Sequence, residues 1–298
     1  MLELGLLGVA VAAVSTSAPL IRGAAAPTLA IAFWRNALAL PAVGGWVLLR
    51  RHERAGWRAR TIDERRLSRR AGLLLALHFA TWVPSLSFTS VASSVALVAT
   101  QPVWAALLAR RRGEPVGRGT WAGIAVSFAG ALVLTGLDLS ISGRALFGDL
   151  LALLGGMLAA AYVTVGADVR RTVGTASYAT ACYGTAAAVL LAVCLGGRQE
   201  LWGYDGGTWL AIAGLVVGPQ LLGHTLVNRV LHAISPTIVS VAILFEILGA
   251  SLIAWLAFDE VPPAGAWPAA GLIAAGVVLV IRDSRRPAEL VEPGGVVA

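Results

Sequence analysis

The segment GEPVGRGTWAGIAVSFAGALVL, residues 113–134, returns in altered form as DEVPPAGAWPAAGLIAAGVVLV at residues 259–280. The two copies align at an offset of 146 positions without a gap. The identical pairs are Glu114 with Glu260, Gly119 with Gly265, Trp121 with Trp267, Ala129 with Ala275 and Gly130 with Gly276. Chance similarity between two helices rich in glycine and alanine is the alternative, and the shared spacing argues against it. The sequence therefore predicts an internal repeat.

The composition predicts that these segments lie in a membrane. Of the 298 residues, 57% are hydrophobic and 13% are charged, and the mean hydropathy is +0.78. A soluble domain cannot bury that much apolar surface. A helix that crosses the bilayer needs about 20 mostly apolar residues, and ten runs meet this requirement. They lie near 4–21, 28–49, 71–90, 91–109, 119–137, 145–167, 173–195, 208–228, 233–258 and 264–281.

The basic residues indicate how these runs are oriented. All 23 are arginines, and nineteen of them fall in loops or a tail on one side of the predicted membrane. Because positive charge is retained in the cytoplasm, both termini are predicted to be cytoplasmic, in a plasma (inner) membrane protein. This placement also favours contact with the lipid bilayer over nucleic acid. The nineteen are Arg50, Arg51, Arg54, Arg58, Arg60, Arg65, Arg66, Arg69, Arg70, Arg110, Arg111, Arg112, Arg118, Arg170, Arg171, Arg229, Arg282, Arg285 and Arg286.

The two repeat copies are predicted to run in opposite directions through the membrane. They are five helices apart, and an odd number reverses the side from which the second copy enters. We therefore predict an all-α integral membrane protein with ten transmembrane helices in two inverted five-helix repeats. The repeats cover 1–142 and 143–282, followed by a cytoplasmic tail at 283–298. Inverted repeats are typical of transporters, whose halves rock about a central site.

This layout resembles the EamA-type family of the drug/metabolite transporter superfamily. Three stretches carry the resemblance, which extends over nearly the whole chain. They are FWRNALAL in the second run, TSVASSVALVATQPVWAALLARRRGEP across the fourth, and SPTIVSVAILFEILGASLIAWLAFDE across the ninth. The resemblance implies transport of a small molecule through a central cavity. Helices three, four, eight and nine would line that cavity, with one, two, six and seven completing it.

Glu246 is the most informative residue for function, because it interrupts the apolar ninth run. Ionisable residues inside a membrane are costly and mark functional sites. Extending the repeat backward with one residue removed aligns Glu246 with Gln101. Arg35, inside the second run, has three interpretations: a counter-ion for Glu246, an anchor for a substrate carboxylate, or a residue that snorkels to the outer surface.

Other polar residues recur at helical spacing and predict faces that converge on one axis. A role as hydrogen-bonding contacts between helices is the alternative for each of them. The predicted substrate-binding or transport-pathway residues are Arg35, His78, Trp82, Ser85, Gln101, Trp104, Gln220, His224 and Glu246.

The sequence predicts a secondary transporter and disfavours an enzyme. Neither an H-E-x-x-H nor a G-x-S-x-G motif occurs, and neither a metal nor a cofactor is expected. We predict a proton-coupled exporter of small metabolites such as amino acids, working by alternating access. An importer or equilibrating carrier of sugars or nucleosides is the alternative, and a membrane enzyme or scaffold ranks below both. Helices five and ten, with few polar residues, are predicted to lie at the periphery as packing or homodimer helices.

Overall fold

A computed structural model describes residues 2–89, 94, 97–135, 142–258 and 266–284, and this part of the chain is helical without strands. The helices are α1 (Leu2–Val14), α2 (Ser17–Arg22), α3 (Thr28–Ala37), α4 (Leu40–Leu49), α5 (Arg51–Ala59), α6 (Ile62–Ser85), α7 (Gln101–Arg111), α8 (Arg118–Thr135), α9 (Gly143–Arg170), α10 (Thr175–Gly196), α11 (Gly206–Leu215), α12 (Thr225–Val230), α13 (Pro236–Ile243), α14 (Phe245–Phe258) and α15 (Ala266–Ser284), with a π-helical segment, Val216–His224, between α11 and α12.

Six helical stretches in the described residues are long and apolar enough to cross a membrane. They are Leu2–Arg22, Thr28–Leu49, Gly143–Arg170, Thr175–Gly196, Gly206–Val230 and Trp267–Ser284. The all-α membrane class is thereby confirmed, and the protein is a multi-pass membrane protein. The predicted tail from residue 285 onward lies outside the described residues.

Several predicted spans are interrupted helices. The first breaks between α1 and α2, the second between α3 and α4, and the eighth widens into the π-helical segment around Pro219. Proline lacks the amide hydrogen that an α-helix requires, which accounts for a local change of helix type. The ninth is interrupted at Leu244, and this places Glu246 in the first turn of α14. Glu246 was expected within one continuous helix, so the break is a difference from the sequence interpretation.

The arginine-rich loops gather at one end of the bundle, which we call the basic end. Polar contacts join neighbouring helix termini there. They are Thr172 with Glu64 (2.6 Å), Arg112 with Asp168 (2.6 Å), Arg229 with Glu3 (3.3 Å), Arg170 with the carbonyl of Asn228 (2.8 Å) and Thr120 with Asp283 (2.7 Å). At the opposite end, Thr89 donates to Asp149 and Trp34 donates to the carbonyl of Leu201. The arginines that cluster in particular loops of the sequence therefore also lie together at one end of the folded molecule.

Helices α8 and α15 pack closely against each other in antiparallel directions. A Cβ atom on Gly123 would lie 2.6 Å from the carbonyl oxygen of Gly276, and one on Gly130 would lie 2.9 Å from that of Ala269. The backbones approach this closely because the contact is made of small residues. The faces predicted for packing or dimerisation thus meet within one chain. A homodimer through these two helices stays a prediction, and it would have to use their outer faces.

Candidate functional site

A cavity of about 100 Å³ lies in the middle of the bundle. Its wall includes six of the predicted site residues, and apolar side chains form most of the rest. The six are Arg35, His78, Trp82, Gln101, His224 and Glu246. Residues from α3, α6, α7, α14 and the π-helical segment are therefore brought together from both halves of the chain.

Arg35 is held in place by a buried network of hydrogen bonds. It is 1% exposed, and its Nε donates to Gln220 Oε1 at 2.9 Å while Nη1 donates to Ser17 Oγ at 3.3 Å. The Nε2 amide of Gln220 donates in turn to Asn36 Oδ1 at 3.1 Å. The guanidinium also lies 4.4 Å from the centroid of the Phe79 ring. A side chain fixed this deeply cannot snorkel, so that interpretation of Arg35 is wrong.

One nitrogen of the Arg35 guanidinium has no hydrogen-bond partner in the described part of the chain. The Nη2 atom is buried, and no acceptor for it exists among the described residues. An unpaired buried donor is costly, and the cost is higher for a charged group. Such a group is expected to meet an acceptor at some stage of the protein's working cycle.

Glu246 lies in the wall of the same cavity and is only partly buried. The ion pairs of the described residues do not include one between Glu246 and Arg35. The guanidinium of Arg35 and the carboxyl group of Glu246 therefore face one space without direct contact. Arg35 as a counter-ion for Glu246 and Arg35 as an anchor for a substrate carboxylate both stay predictions, and the lack of direct contact leaves both groups available to a ligand.

Two histidines, one from each half of the chain, flank Phe79. The His78 and His224 rings lie 5.1 and 5.4 Å from the Phe79 ring centroid. His78 Nδ1 lies 2.9 Å from the carbonyl oxygen of Gly155. A carbonyl oxygen can only accept, so Nδ1 carries the hydrogen and, in a neutral ring, Nε2 is an acceptor.

Trp82 stacks on His78 and gives the cavity a flat aromatic surface. The two rings are 5.7 Å apart and inclined by 9°. The indole Nε1–H of Trp82 is buried and has no acceptor among the described residues. Gln101 and Ser240 belong to opposite repeats, and Nε2 of Gln101 donates to the Ser240 hydroxyl at 3.0 Å. The wall thus combines an aromatic plane with a few fixed polar groups, which is typical of small-molecule sites.

Comparison with known proteins identifies the family. The profile of the EamA-like transporter family matches residues 2–136 and again residues 146–282. The chain belongs to the EamA-like transporter family. Two matches within one chain also confirm the two-repeat architecture. Among curated proteins, none matches this sequence.

Solved structures share the fold of this EamA-like transporter. The crystal structure of one other protein superposes on this chain with a TM-score of 0.79 at 19% sequence identity. The superposition covers 96% of this chain and 99% of the other. At this identity the likeness concerns the fold alone. The family assignment makes the chain a membrane transporter of the drug/metabolite type.

Three predicted site residues lie outside the cavity wall of the transporter. Gln220 is fully buried behind the wall, where it orients Arg35. The Ser85 hydroxyl lies 2.6 Å from that of Ser94, and Trp104 Nε1 donates to the Thr100 hydroxyl at 3.0 Å. Ser85 therefore makes a contact between neighbouring segments, as the alternative interpretation expected, whereas Trp104 bonds to the N-terminus of its own helix.

Several wall and supporting residues of the transporter were missed by the sequence analysis. Ser17, Tyr162 and Ser240 line the cavity, and Asn36 and Phe79 support Arg35 from behind it. Tyr162 could have been found, because its hydroxyl is a polar group in a long apolar run, and it donates to Asn228 Oδ1 at 2.6 Å. No sequence signal singles out Phe79, which is one apolar residue among many.

Proposed function

We propose that this transporter exports small zwitterionic metabolites such as amino acids. In this proposal Arg35 binds the carboxylate of the substrate and Glu246 binds its amine. The observation that carries the proposal is the free Nη2 donor of Arg35 beside a cavity that Glu246 also lines without pairing to it. A zwitterion supplies one acceptor and one cation, and it would satisfy both groups together.

The size of the cavity supports a small substrate. A volume of about 100 Å³ is well below the roughly 300–1,000 Å³ of pockets that hold drug-sized ligands. The stacked rings of Trp82 and His78 would contact the body of the substrate. Gln101 would add a directional hydrogen-bonding group at the wall.

The transport cycle that we propose uses ten spans in two inverted five-helix repeats, 1–142 and 143–282, that rock about this cavity. The antiparallel α8–α15 contact supports the inversion, because it brings corresponding small residues of the two halves into crosswise contact. Interrupted helices beside the cavity support alternating access, since irregular backbone at membrane depth is tolerated where it lines a cavity or is buried in protein. We place the basic end in the cytoplasm of a plasma-membrane protein with both termini inside.

Proton coupling is assigned to Glu246. A carboxylate that meets either a proton or a substrate amine can exchange one for the other during the cycle. Gln101, the repeat partner of Glu246, cannot bind a proton in this way. The site would therefore contain a single exchangeable carboxylate, which suits the exchange of one proton for the ammonium group of one substrate molecule.

A competition assay in reconstituted vesicles tests the substrate class. Uptake of a labelled amino acid would be measured against the unlabelled amino acid, its methyl ester, its decarboxylated amine and a neutral sugar. We expect the intact zwitterion to compete at least tenfold better than the ester or the amine, since each analogue leaves one charged group unpaired. Equal competition by the sugar would favour the alternative carrier of sugars or nucleosides.

A further inference from the structure

The segment between the second and third predicted spans folds into a short basic helix and the start of α6. Nine arginines and three carboxylates fall between Arg50 and Arg70. Helix α5 has no buried residue, and its arginines at 51, 54 and 58 are exposed. This charge lies at the basic end, beside the membrane surface and far from the central cavity.

Arg60, at the turn between α5 and α6, is the exception to this exposure. It is 9% exposed, its guanidinium lies 3.5 Å from the centroid of the Trp57 ring, and its Nε donates to the carbonyl of Trp57 at 3.2 Å. The Nη1 atom is buried, and the described residues offer it no acceptor. Arginine binds phosphate through such a planar fork of donors.

Two further arginines of α6 lie beside Arg60. The pKa of Arg60 is lowered, mainly by burial of its guanidinium. The positive charges of Arg65 and Arg69 lower this pKa further. Arg65 and Arg69 are four residues apart and so share one face of α6. Glu64 offsets part of this repulsion, but one of its oxygens is engaged by the Thr172 hydroxyl at 2.6 Å. Three guanidinium groups thus share one corner with a carboxylate whose two oxygens both accept hydrogen bonds from other groups.

The corner is held to the body of the protein. The hydroxyl of Thr61 caps α6 by accepting from the amide of Glu64, and the Glu64 side chain accepts from the amide of Thr61. The Thr172 contact then fixes Glu64 to the loop after α9. A site that is ordered before binding loses less entropy when its ligand arrives.

The neighbouring surface is suited to lipid. Helix α4 ends directly before this segment, and its Leu48 and Leu49 are 67% and 82% exposed. Trp46, 51% exposed, lies under the guanidinium of Arg50 at 4.6 Å. Tryptophan and arginine in this order mark the boundary between acyl chains and headgroups.

We propose that Arg60, Arg65 and Arg69 form a binding site for the phosphate of an anionic phospholipid headgroup. The free Nη1 donor of Arg60 would bind a phosphate oxygen directly, and Arg65 and Arg69 would supply the surrounding positive charge. The acyl chains would lie against the exposed end of α4. The lipid would thereby connect α4, α5 and α6, and the site is independent of the substrate proposed above.

Lipid titration of the purified, delipidated full-length protein tests this site. Phosphatidylglycerol, phosphatidylcholine or inorganic phosphate would be added, and bound lipid would be counted by native mass spectrometry alongside the thermal unfolding midpoint. We expect phosphatidylglycerol to bind and to raise the midpoint, and phosphatidylcholine to do neither at equal concentration. Equal binding of the two lipids overturns the proposal. Full displacement of phosphatidylglycerol by millimolar inorganic phosphate would assign the site to a free anion instead.

A pair of double variants separates a specific site from diffuse charge. Arg65→Gln with Arg69→Gln removes two site charges, and we expect about 30-fold weaker phosphatidylglycerol binding, from roughly 1 kcal/mol per arginine. Arg66→Gln with Arg70→Gln removes the same charge from the adjacent face of α6, and binding should stay within about twofold. Equal losses in both variants would overturn the site.

The single variant Arg60→Lys tests the phosphate site if the double variants fail to fold. Lysine keeps the charge but loses the planar fork and its stacking on Trp57. Binding of phosphatidylglycerol is expected to weaken roughly tenfold, a loss that a purely electrostatic attraction would not produce. Unchanged binding in Arg60→Lys would contradict the role of the Nη1 donor.

Discussion

The hydroxyl of Ser127 donates to the carbonyl oxygen of Ile273 at 3.3 Å, and the two residues are 146 positions apart. This separation equals the offset between the two copies of the sequence repeat. On either side, Gly123 approaches Gly276 and Gly130 approaches Ala269. These are crosswise contacts between equivalent positions, because 123 corresponds to 269 and 130 to 276. Such exchange is the property of a twofold relation, and it supports the inverted repeat.

Because α8 and α15 are in close contact, adding one methyl group at their interface is expected to destabilise the protein. Gly123→Ala would place its Cβ 2.6 Å from the Gly276 carbonyl, and we expect it to lower the free energy of unfolding by about 1–3 kcal/mol. Gly271→Ala, on α15 with open space around its Cβ position, is the matched control and should be neutral or slightly stabilising. Thermal unfolding in detergent measures both. Equal midpoints for the two variants would contradict the proposed packing.

Much of the fold could be predicted from sequence because the bilayer constrains it. Long apolar runs and the arginine asymmetry reflect the solvent around each segment, so they need no knowledge of packing. The helix breaks were harder. The break at Leu244 falls among apolar residues, 241–244, and is not marked by proline or glycine. Hydropathy does not distinguish an intact helix from an interrupted one. Helix α5 was missed because five of its nine residues are charged or polar, and the segment was interpreted as a loop.

Site residues could be predicted from sequence where they are polar residues in otherwise apolar runs. They could not be predicted where the packing of the helices determines whether a side chain reaches the cavity. Glu246 and Arg35 stand out as charges in apolar runs, and both line the cavity. Gln220 was assigned to the wall, whereas it lies behind Arg35. Helical spacing gives the face of a residue but not its depth. The difference between lining a cavity and supporting a wall residue therefore appears only after the helices are packed.

Cysteine labelling tests the orientation of the two ends. Cys182→Ala and Cys194→Ala would remove the native thiols, and Arg58→Cys or Glu200→Cys would then add one exposed thiol at a time. A membrane-impermeant maleimide applied to intact cells should label Glu200→Cys and leave Arg58→Cys unmodified until the membrane is opened. Labelling of both positions from the outside would contradict the predicted orientation.

Arg35→Lys should separate recognition of the carboxylate from transport in general. Lysine keeps the charge but lacks the planar guanidinium. It cannot hydrogen-bond to both Gln220 and Ser17 and also present a fixed donor to the substrate carboxylate. We expect affinity for the amino acid to fall roughly 10- to 100-fold, the range for a lost hydrogen bond to a charged group. Affinity for the decarboxylated amine should stay within about threefold.

Arg144→Lys is the control for this change, because Arg144 donates to the Ser87 carbonyl at the opposite end from the basic end. It should leave both affinities unchanged. Equal loss of the amino acid and of the amine in Arg35→Lys would show that Arg35 only maintains the structure of the cavity.

The aromatic and amide wall can be tested by truncation. Trp82→Ala removes the surface stacked on His78, and Gln101→Ala removes the group bonded to Ser240. We expect each to raise the KM for transport about three- to tenfold with normal membrane insertion. Trp255→Ala, on α14 and 42% exposed, is the matched control and should transport at the normal rate. Normal transport by both wall variants would exclude these faces from the substrate pathway.

Proton-driven transport by Glu246→Gln tests whether Glu246 exchanges a proton for the substrate amine. Glutamine keeps the size and hydrogen bonding of the side chain but cannot exchange a proton. Vesicles with equal amounts of each protein would be given a pH gradient, and amino-acid accumulation would be compared with exchange at uniform pH. Glu114→Gln, at the basic end, controls for the loss of a carboxylate. We expect Glu246→Gln to lose gradient-driven accumulation of the amino acid while it still equilibrates the amino acid slowly across the membrane. Full gradient-driven accumulation by Glu246→Gln would contradict this role of Glu246.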